Sequence, residues 1–258
     1  MMGVGSTRGE ELGEHFILFQ HLPLIYGRVP KVANSSVKAA LTRLLRQPPE
    51  EGYRTTADVF WRRGTHGETR MISGEEAQLR RATHFIFSFV RNPFDRLVSA
   101  YNNKLVENDH LSTAMQRMGL ERHMPFQRFL EVVNETADAD LDVHLLPQSR
   151  ILCANGTPVP DFIGQMEAMA EHWQVLRRRM RQAGLPPLGK LPSKNVRRGG
   201  DTDLSGHFSD DTVIELALRR YGGDVRLFYP NHDIEALARG QLTALPRPLE
   251  KPTASIPV

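Results

Sequence analysis

Only one cysteine, Cys153, stands among the 258 residues, so no internal disulfide can form and no multi-cysteine zinc site can be built. That economy fits a reducing compartment, and chemistry through paired thiols is excluded. Charge of one sign is scarce as well. Lys and Arg number 33 against 30 Asp and Glu, a formal net charge of +3, which makes no polycationic surface and implies no nucleic-acid partner. No run reaches the roughly 18 consecutive apolar residues that a membrane span needs. The nearest, Phe16 to Tyr26, is interrupted by Gln20, His21 and Pro23. Met1 to Glu14 holds acidic residues and no apolar core, so it reads as a loose terminus rather than a secretion signal, and a soluble, cytoplasmic protein is expected. Repeats at solenoid periods, low-complexity tracts and the Gly-x-x-x-x-Gly-Lys-Ser/Thr loop of nucleoside triphosphatases are all missing.

What is present is an ordinary globular composition, 40% apolar and 24% charged, enough for one substantial core. Leu24 to Val29 is a short apolar run closed by Pro30. Val37, Ala40, Leu41, Leu44 and Leu45 then recur at helical offsets, so strand, loop and amphipathic helix follow one another. His84 to Val90 is aromatic and β-branched, and Pro93 is placed to open a helix with Leu97, Val98, Tyr101 and Leu105 on its apolar face. Two strand–loop–helix units with basic residues at the strand ends predict an α/β domain with a ligand at the carboxyl edge of parallel strands. Further helices are expected over Pro125 to Glu135 and Met166 to Ala183, and from an N-cap at Ser209 to Tyr221. Residues 185–206, rich in Pro, Gly, Lys and Arg, read as a lid or binding loop. From Leu245 onward, prolines break any regular pattern and a flexible tail is expected.

The first loop, Pro30-Lys31-Val32-Ala33-Asn34-Ser35-Ser36, has the makings of an anion site. Backbone N–H groups at a helix start point outward, Lys31 adds charge, and Ser35 and Ser36 supply hydroxyls. On these residues alone, serines capping an ordinary helix beside a surface lysine would account for the pattern equally well.

The run from Arg28 to Ser36 resembles the 5'-phosphosulfate loop of the carbohydrate sulfotransferases, with Asn34 standing where Ser or Cys is frequent. Phe89-Val90-Arg91-Asn92-Pro93-Phe94-Asp95-Arg96-Leu97-Val98-Ser99-Ala100-Tyr101 resembles, nearly residue for residue, the 3'-phosphate motif of the chondroitin and dermatan type members. Weaker echoes, His144 to Gln148, Asp161 to Gly164 with Glu167, and Tyr221 with Leu227 and Phe228, carry the resemblance over about residues 24 to 230. It implies a single P-loop-like α/β domain, residues 16–244, with a central parallel sheet flanked by helices, between a flexible N-terminus (1–15) and a flexible tail (245–258). It implies sulfuryl transfer from 3'-phosphoadenosine 5'-phosphosulfate to a hydroxyl of a carbohydrate or glycolipid, leaving adenosine 3',5'-bisphosphate. Lys31, Val32, Ala33, Asn34, Ser35 and Ser36 would hold the phosphosulfate, with Lys31 offsetting charge on the leaving oxygen. Arg91 and Ser99, eight residues apart, would hold the 3'-phosphate, and Arg197 and Arg198 of a late loop would reach the phosphates.

In related sulfotransferases the base for the acceptor hydroxyl sits between the two nucleotide motifs, a couple of dozen residues before the arginine of the second, and the resemblance implies the same here. His66, 25 residues ahead of Arg91, is the first choice, since a neutral imidazole accepts a proton near physiological pH. His144 is the rival, and Glu68 and Glu75 are fallbacks; His84 is expected to open a strand. Arg177 to Arg181 would spread around a helix as solvated surface. No metal is expected, and the acceptor pocket is placed in variable segments around Leu105 to Glu121. A nucleotide kinase-like phosphotransferase has the strand–lysine–helix logic in its favour, but the glycine loop and an acidic pair for magnesium are wanting. A nucleotide-binding protein that has lost its base is the non-enzymatic alternative. Oligomeric state is open.

Overall fold

The computed structural model describes residues 13–192 and 204–251. Strands β1 (Glu14–Phe19) and β2 (Leu24–Gly27) are followed by helix α1 (Asn34–Leu41), helix α2 (Asp58–Arg63), strand β3 (Thr69–Ser73) and helix α3 (Gly74–Leu79). Next come β4 (Phe85–Val90), α4 (Pro93–Tyr101), a π-helical turn over Asn102–Glu107, α5 (Thr113–Arg117), α6 (Phe126–Glu135) and α7 (Gln148–Leu152). The short hairpin β5 (Cys153–Ala154) and β6 (Thr157–Pro158), strand β7 (Phe162–Gln165), helices α8 (Met169–Gln182), α9 (Asp211–Phe228) and α10 (Ile234–Ala238), and strand β8 (Leu249–Glu250) complete the chain.

Six strands form one sheet in the order β3-β1-β2-β4-β7-β8. The expected parallel sheet is the centre of a mixed one: β2, β4 and β7 run parallel, while β1, β3 and β8 pair antiparallel. Loop length explains the difference. Four residues link β1 to β2, enough only for a hairpin, whereas parallel neighbours need a crossover, and helices supply it between β2, β4 and β7. Every residue of β2, β4 and β7 is buried, as expected of strands covered on both faces. Aromatic rings fill the layers: Tyr26 stacks on Phe87 at 5.0 Å between centroids and Phe89 on Trp173 at 6.0 Å. Gly164 is needed here, because a Cβ at that position would run into the Phe89 ring.

Several boundaries differ from expectation. Asp210, not Ser209, caps α9 by accepting from the Thr212 N–H at 2.7 Å. The helix runs past Tyr221 to Phe228, because Tyr221, Asp224, Val225 and Phe228 bury one face of it. Burial overrides the weak helical preference of Gly222 and Gly223. Glu14 and His15, expected in the loose terminus, belong to β1. Leu249–Glu250, expected in the tail, pairs with Ile163 and Phe162 at the sheet edge. Among the described residues no helix is long and apolar enough to cross a membrane.

Candidate active site

Two loops leave the carboxyl edge of the parallel strands side by side, one after β2 and one after β4. In the first, Lys31 and Ala33 take left-handed backbone angles, φ 69° and 58°, a conformation uncommon outside glycine. Alternation of this kind turns successive N–H groups to one side and makes a concavity for an anion. Ala33 is the N-cap residue of α1 and has no side chain to close the helix end, so the dipole and the first-turn N–H groups face the loop. Asn34 accepts from the Tyr26 hydroxyl at 3.1 Å. Lys31 donates from Nζ to Asn103 Oδ1 at 3.1 Å, in the π-helical turn that follows α4. Val32 and Ser36 are buried.

The second loop is built by local rules. Asn92 caps α4 through the Phe94 N–H at 3.1 Å, and Pro93 fills the first helical position, where its missing N–H costs nothing. Asn92 also donates from Nδ2 to the Leu237 carbonyl at 2.7 Å. Arg91 forms a forked pair with Asp95, 2.6 and 2.7 Å, and donates from Nη1 to the Lys31 carbonyl at 3.3 Å. Its backbone is held both ways by Gln148, which accepts from the Arg91 N–H at 2.9 Å and donates to the Arg91 carbonyl at 2.8 Å. Gln148 in turn stands at the start of α7, whose Gln148 and Ser149 N–H groups donate to the fully buried Asp224. Burial pushes the Asp224 carboxyl above its ordinary range, against those hydrogen bonds. Ser99 lies two turns into α4, buried.

The loops are tied together by Arg96. Its buried guanidinium donates to the Pro30 carbonyl at 3.0 Å and to the Leu146 carbonyl at 2.8 Å. Leu146 lies two residues beyond His144. The His144 ring is bonded through Nδ1 to Asp142 Oδ1 at 2.7 Å, and Asp142 Oδ2 accepts from the Ser112 hydroxyl at 2.6 Å. Burial pulls the His144 pKa below its ordinary value; Asp142 opposes this, while Lys104 and Lys31 add to the lowering. Asp142 is held down to about 2: its burial, which alone would raise it, is outweighed by hydrogen bonds and charge from His144 and by the Ser112 bond. Leu141 and Val143, flanking Asp142, line a cavity of about 1160 Å³ with Ala114, Arg117, Met118 and Gly119. Part of the 105–121 segment expected to shape an acceptor pocket therefore does line a cavity.

The structure thus draws Lys31, Arg91 and His144 into one neighbourhood. His66 lies elsewhere. It sits at φ 51° on a turn, 36% exposed, with Nε2 on the Pro48 carbonyl at 3.1 Å and its backbone N–H on Glu50. Glu68 is occupied in accepting the Arg46 and Gln47 N–H groups at 2.8 Å each, and Glu75 is an exposed residue in the first turn of α3. His84 precedes β4 and bonds Thr83. Arg197 and Arg198 lie outside the described residues. Of the 177–181 cluster, Arg179 pairs with Glu250 at 3.0 Å. Sequence reasoning missed Asp142 and Asn103, and it placed Arg96 and Gln148 in motifs without giving them a role. Asp142 carried a local signal, an acid two residues before a histidine; the others meet their partners only across the fold. Among the described residues no cluster of His, Cys, Asp or Glu could hold a metal.

Residues 14–230 match the sulfotransferase family, and the chain belongs to it. It is 27% identical over 251 residues to carbohydrate sulfotransferase 14 of Mus musculus and 26% identical to carbohydrate sulfotransferase 14 of Homo sapiens; each alignment covers 88% of this chain and 62% of the relative. The chain therefore spans less than two thirds of the length of these curated relatives. No solved structure gives a significant match.

Proposed function

We propose that this protein transfers a sulfuryl group from 3'-phosphoadenosine 5'-phosphosulfate to a carbohydrate hydroxyl. The observation that carries the reading is the meeting of the two loops, Arg91 reaching the Lys31 carbonyl, with the Asp142–His144 pair in electrostatic reach of Lys31. The uncapped start of α1 and the left-handed backbone at Lys31 and Ala33 suit the phosphosulfate end of the donor, and Arg91 with Ser99 suits its 3'-phosphate. Lys31 offsets the charge that grows on the leaving phosphate. His144 takes the acceptor proton, and Asp142 fixes its tautomer by accepting from Nδ1–H, leaving Nε2 as the base. The reading favours His144 over His66 as the base, because His66 is exposed and bonded to Pro48 and Glu50, whereas His144 is paired with Asp142 and within electrostatic reach of Lys31. The saccharide approaches through the cavity beside Leu141 and Val143.

Transfer of labelled sulfate from the donor to a panel of glycans tests the reading. His144→Ala should lower kcat by about 10³-fold, within the range of general base catalysis, and His66→Ala should leave it near the parent value. Because the base must be neutral and burial lowers its pKa, kcat/KM should rise with pH through a midpoint below that of a free imidazole and stay level above it. Absence of binding to adenosine 3',5'-bisphosphate, with stabilisation by ATP and magnesium instead, would overturn the assignment in favour of a phosphotransferase.

A further inference from the structure

The donor loop has two non-glycine residues in left-handed conformation, each a cost that surrounding contacts must offset. Three contacts hold its inner side: Arg96 on the Pro30 carbonyl, Arg91 on the Lys31 carbonyl and Tyr26 on Asn34. The outer side is held differently. Arg28, at the entry to the loop, and Lys38, in α1 just beyond its end, both turn to the same carboxylate, Asp58 at the start of α2. Arg28 Nη1 lies 3.0 Å from Asp58 Oδ2, and Lys38 bonds Asp58 Oδ1 and, at 3.1 Å, the Thr56 carbonyl. Both cations are nearly out of solvent, at 6% and 1% side-chain exposure. Burying two cations is expensive unless each is paired, and one carboxylate with an oxygen for each fixes the separation between them. Arg28 and Lys38 flank the loop on its two sides.

We propose that Asp58 is a positioning residue for donor binding, a clamp that joins the two ends of the phosphosulfate loop and holds its left-handed backbone ready before the nucleotide arrives. The inference rests on the assignment of residues 30–36 as the donor loop. Asp58 and Arg28 also line the cavity beside Leu141 and Val143, but the effect of Asp58 on the donor passes through the backbone between Arg28 and Lys38.

Two variants separate the clamp from simple stability. Lys38→Met cuts the exit side while leaving Asp58 paired with Arg28, so no buried charge is orphaned; Asp58→Asn cuts both sides. Binding of adenosine 3',5'-bisphosphate would be measured by calorimetry well below each melting temperature, alongside KM for donor and for acceptor. Both variants should bind the nucleotide about tenfold more weakly and raise the donor KM to match, as expected of coupling through a rigid segment. Because Asp58 lines the acceptor cavity, the nucleotide affinity measured without acceptor decides. Lys38→Met, which leaves that cavity wall in place, should keep the acceptor KM within about twofold of the parent, the scatter of independent sites. A lowered melting temperature with unchanged nucleotide affinity in both variants would mark Asp58 as structural only and sink the clamp. A parent protein that does not bind the nucleotide removes the donor-loop assignment itself, and the clamp with it.

Discussion

The two loops at the carboxyl edge of the sheet occupy equivalent places, each after a buried parallel strand and before a helix, yet they are built in opposite ways. The loop after β4 is specified from within. Asn92 caps, Pro93 starts the helix and Asp95 pairs with Arg91 one turn away, so its shape is set by rules that act within four residues. Gln148 and the Leu237 carbonyl then hold it from across the fold. The loop after β2 is specified from outside. Its left-handed residues are not glycines, its helix has no side-chain cap, and its shape depends on Arg96, Arg91, Tyr26 and Asp58 arriving from other elements. A backbone held from outside can leave the N–H groups of the helix start turned toward a ligand, which a self-capped helix cannot do. In the proposed reading the first loop takes the transferring end of the donor and the second its 3'-phosphate.

Lys31→Ala would break that division most severely. If Lys31 offsets charge on the leaving oxygen, kcat should fall by about 10²- to 10³-fold, the loss seen when one preorganised donor to a developing charge is removed. Nucleotide product affinity should change far less; an equal loss in both would mean that Lys31 only binds. Arg91→Lys comes next. It removes the planar fork, which is matched to a phosphate and also reaches Asp95 and the Lys31 carbonyl. Loss of one charge-assisted hydrogen bond is worth about 1.5–3 kcal/mol, so donor affinity should weaken by at least tenfold, with kcat at saturating donor less affected. Steady-state kinetics with both substrates varied reads each outcome.

The same contrast explains what was legible in the sequence. The second loop was readable nearly residue by residue, since cap, proline and arginine follow rules that act over one helical turn. The first was readable as a pattern of lysine and hydroxyls, but nothing near residues 30–36 announces Asp58, Arg96 or Asn103, whose partners lie 20 to 72 positions away. The central strands were evident from their apolar runs. The mixed sheet was not, because β1 and β8 join it through pairings that composition does not encode. Spacing from Arg91 directed attention to His66, while the fold turned His144 toward the loops by way of α7 and the Arg96 bond to Leu146. The proposal of His144 as the base rests on the carboxylate and backbone across from it, which distance along the chain does not reveal.

The smallest expected effect sharpens the comparison from the other side. If the second loop is locally encoded, Asn92→Ala should cost stability rather than chemistry: the α4 cap is lost and the Leu237 carbonyl loses its donor. Caps of this type are worth about 1 kcal/mol, and the orphaned buried carbonyl adds about as much again. Denaturant unfolding should therefore show a lower midpoint with an unchanged slope. Kinetic constants at a temperature where the variant is folded should stay close to the parent's, since Gln148 still grips the Arg91 backbone from both sides. A large loss of donor affinity in Asn92→Ala, with little loss of stability, would show that the cap shapes the phosphate site directly and that the second loop shares the first loop's dependence on what surrounds it.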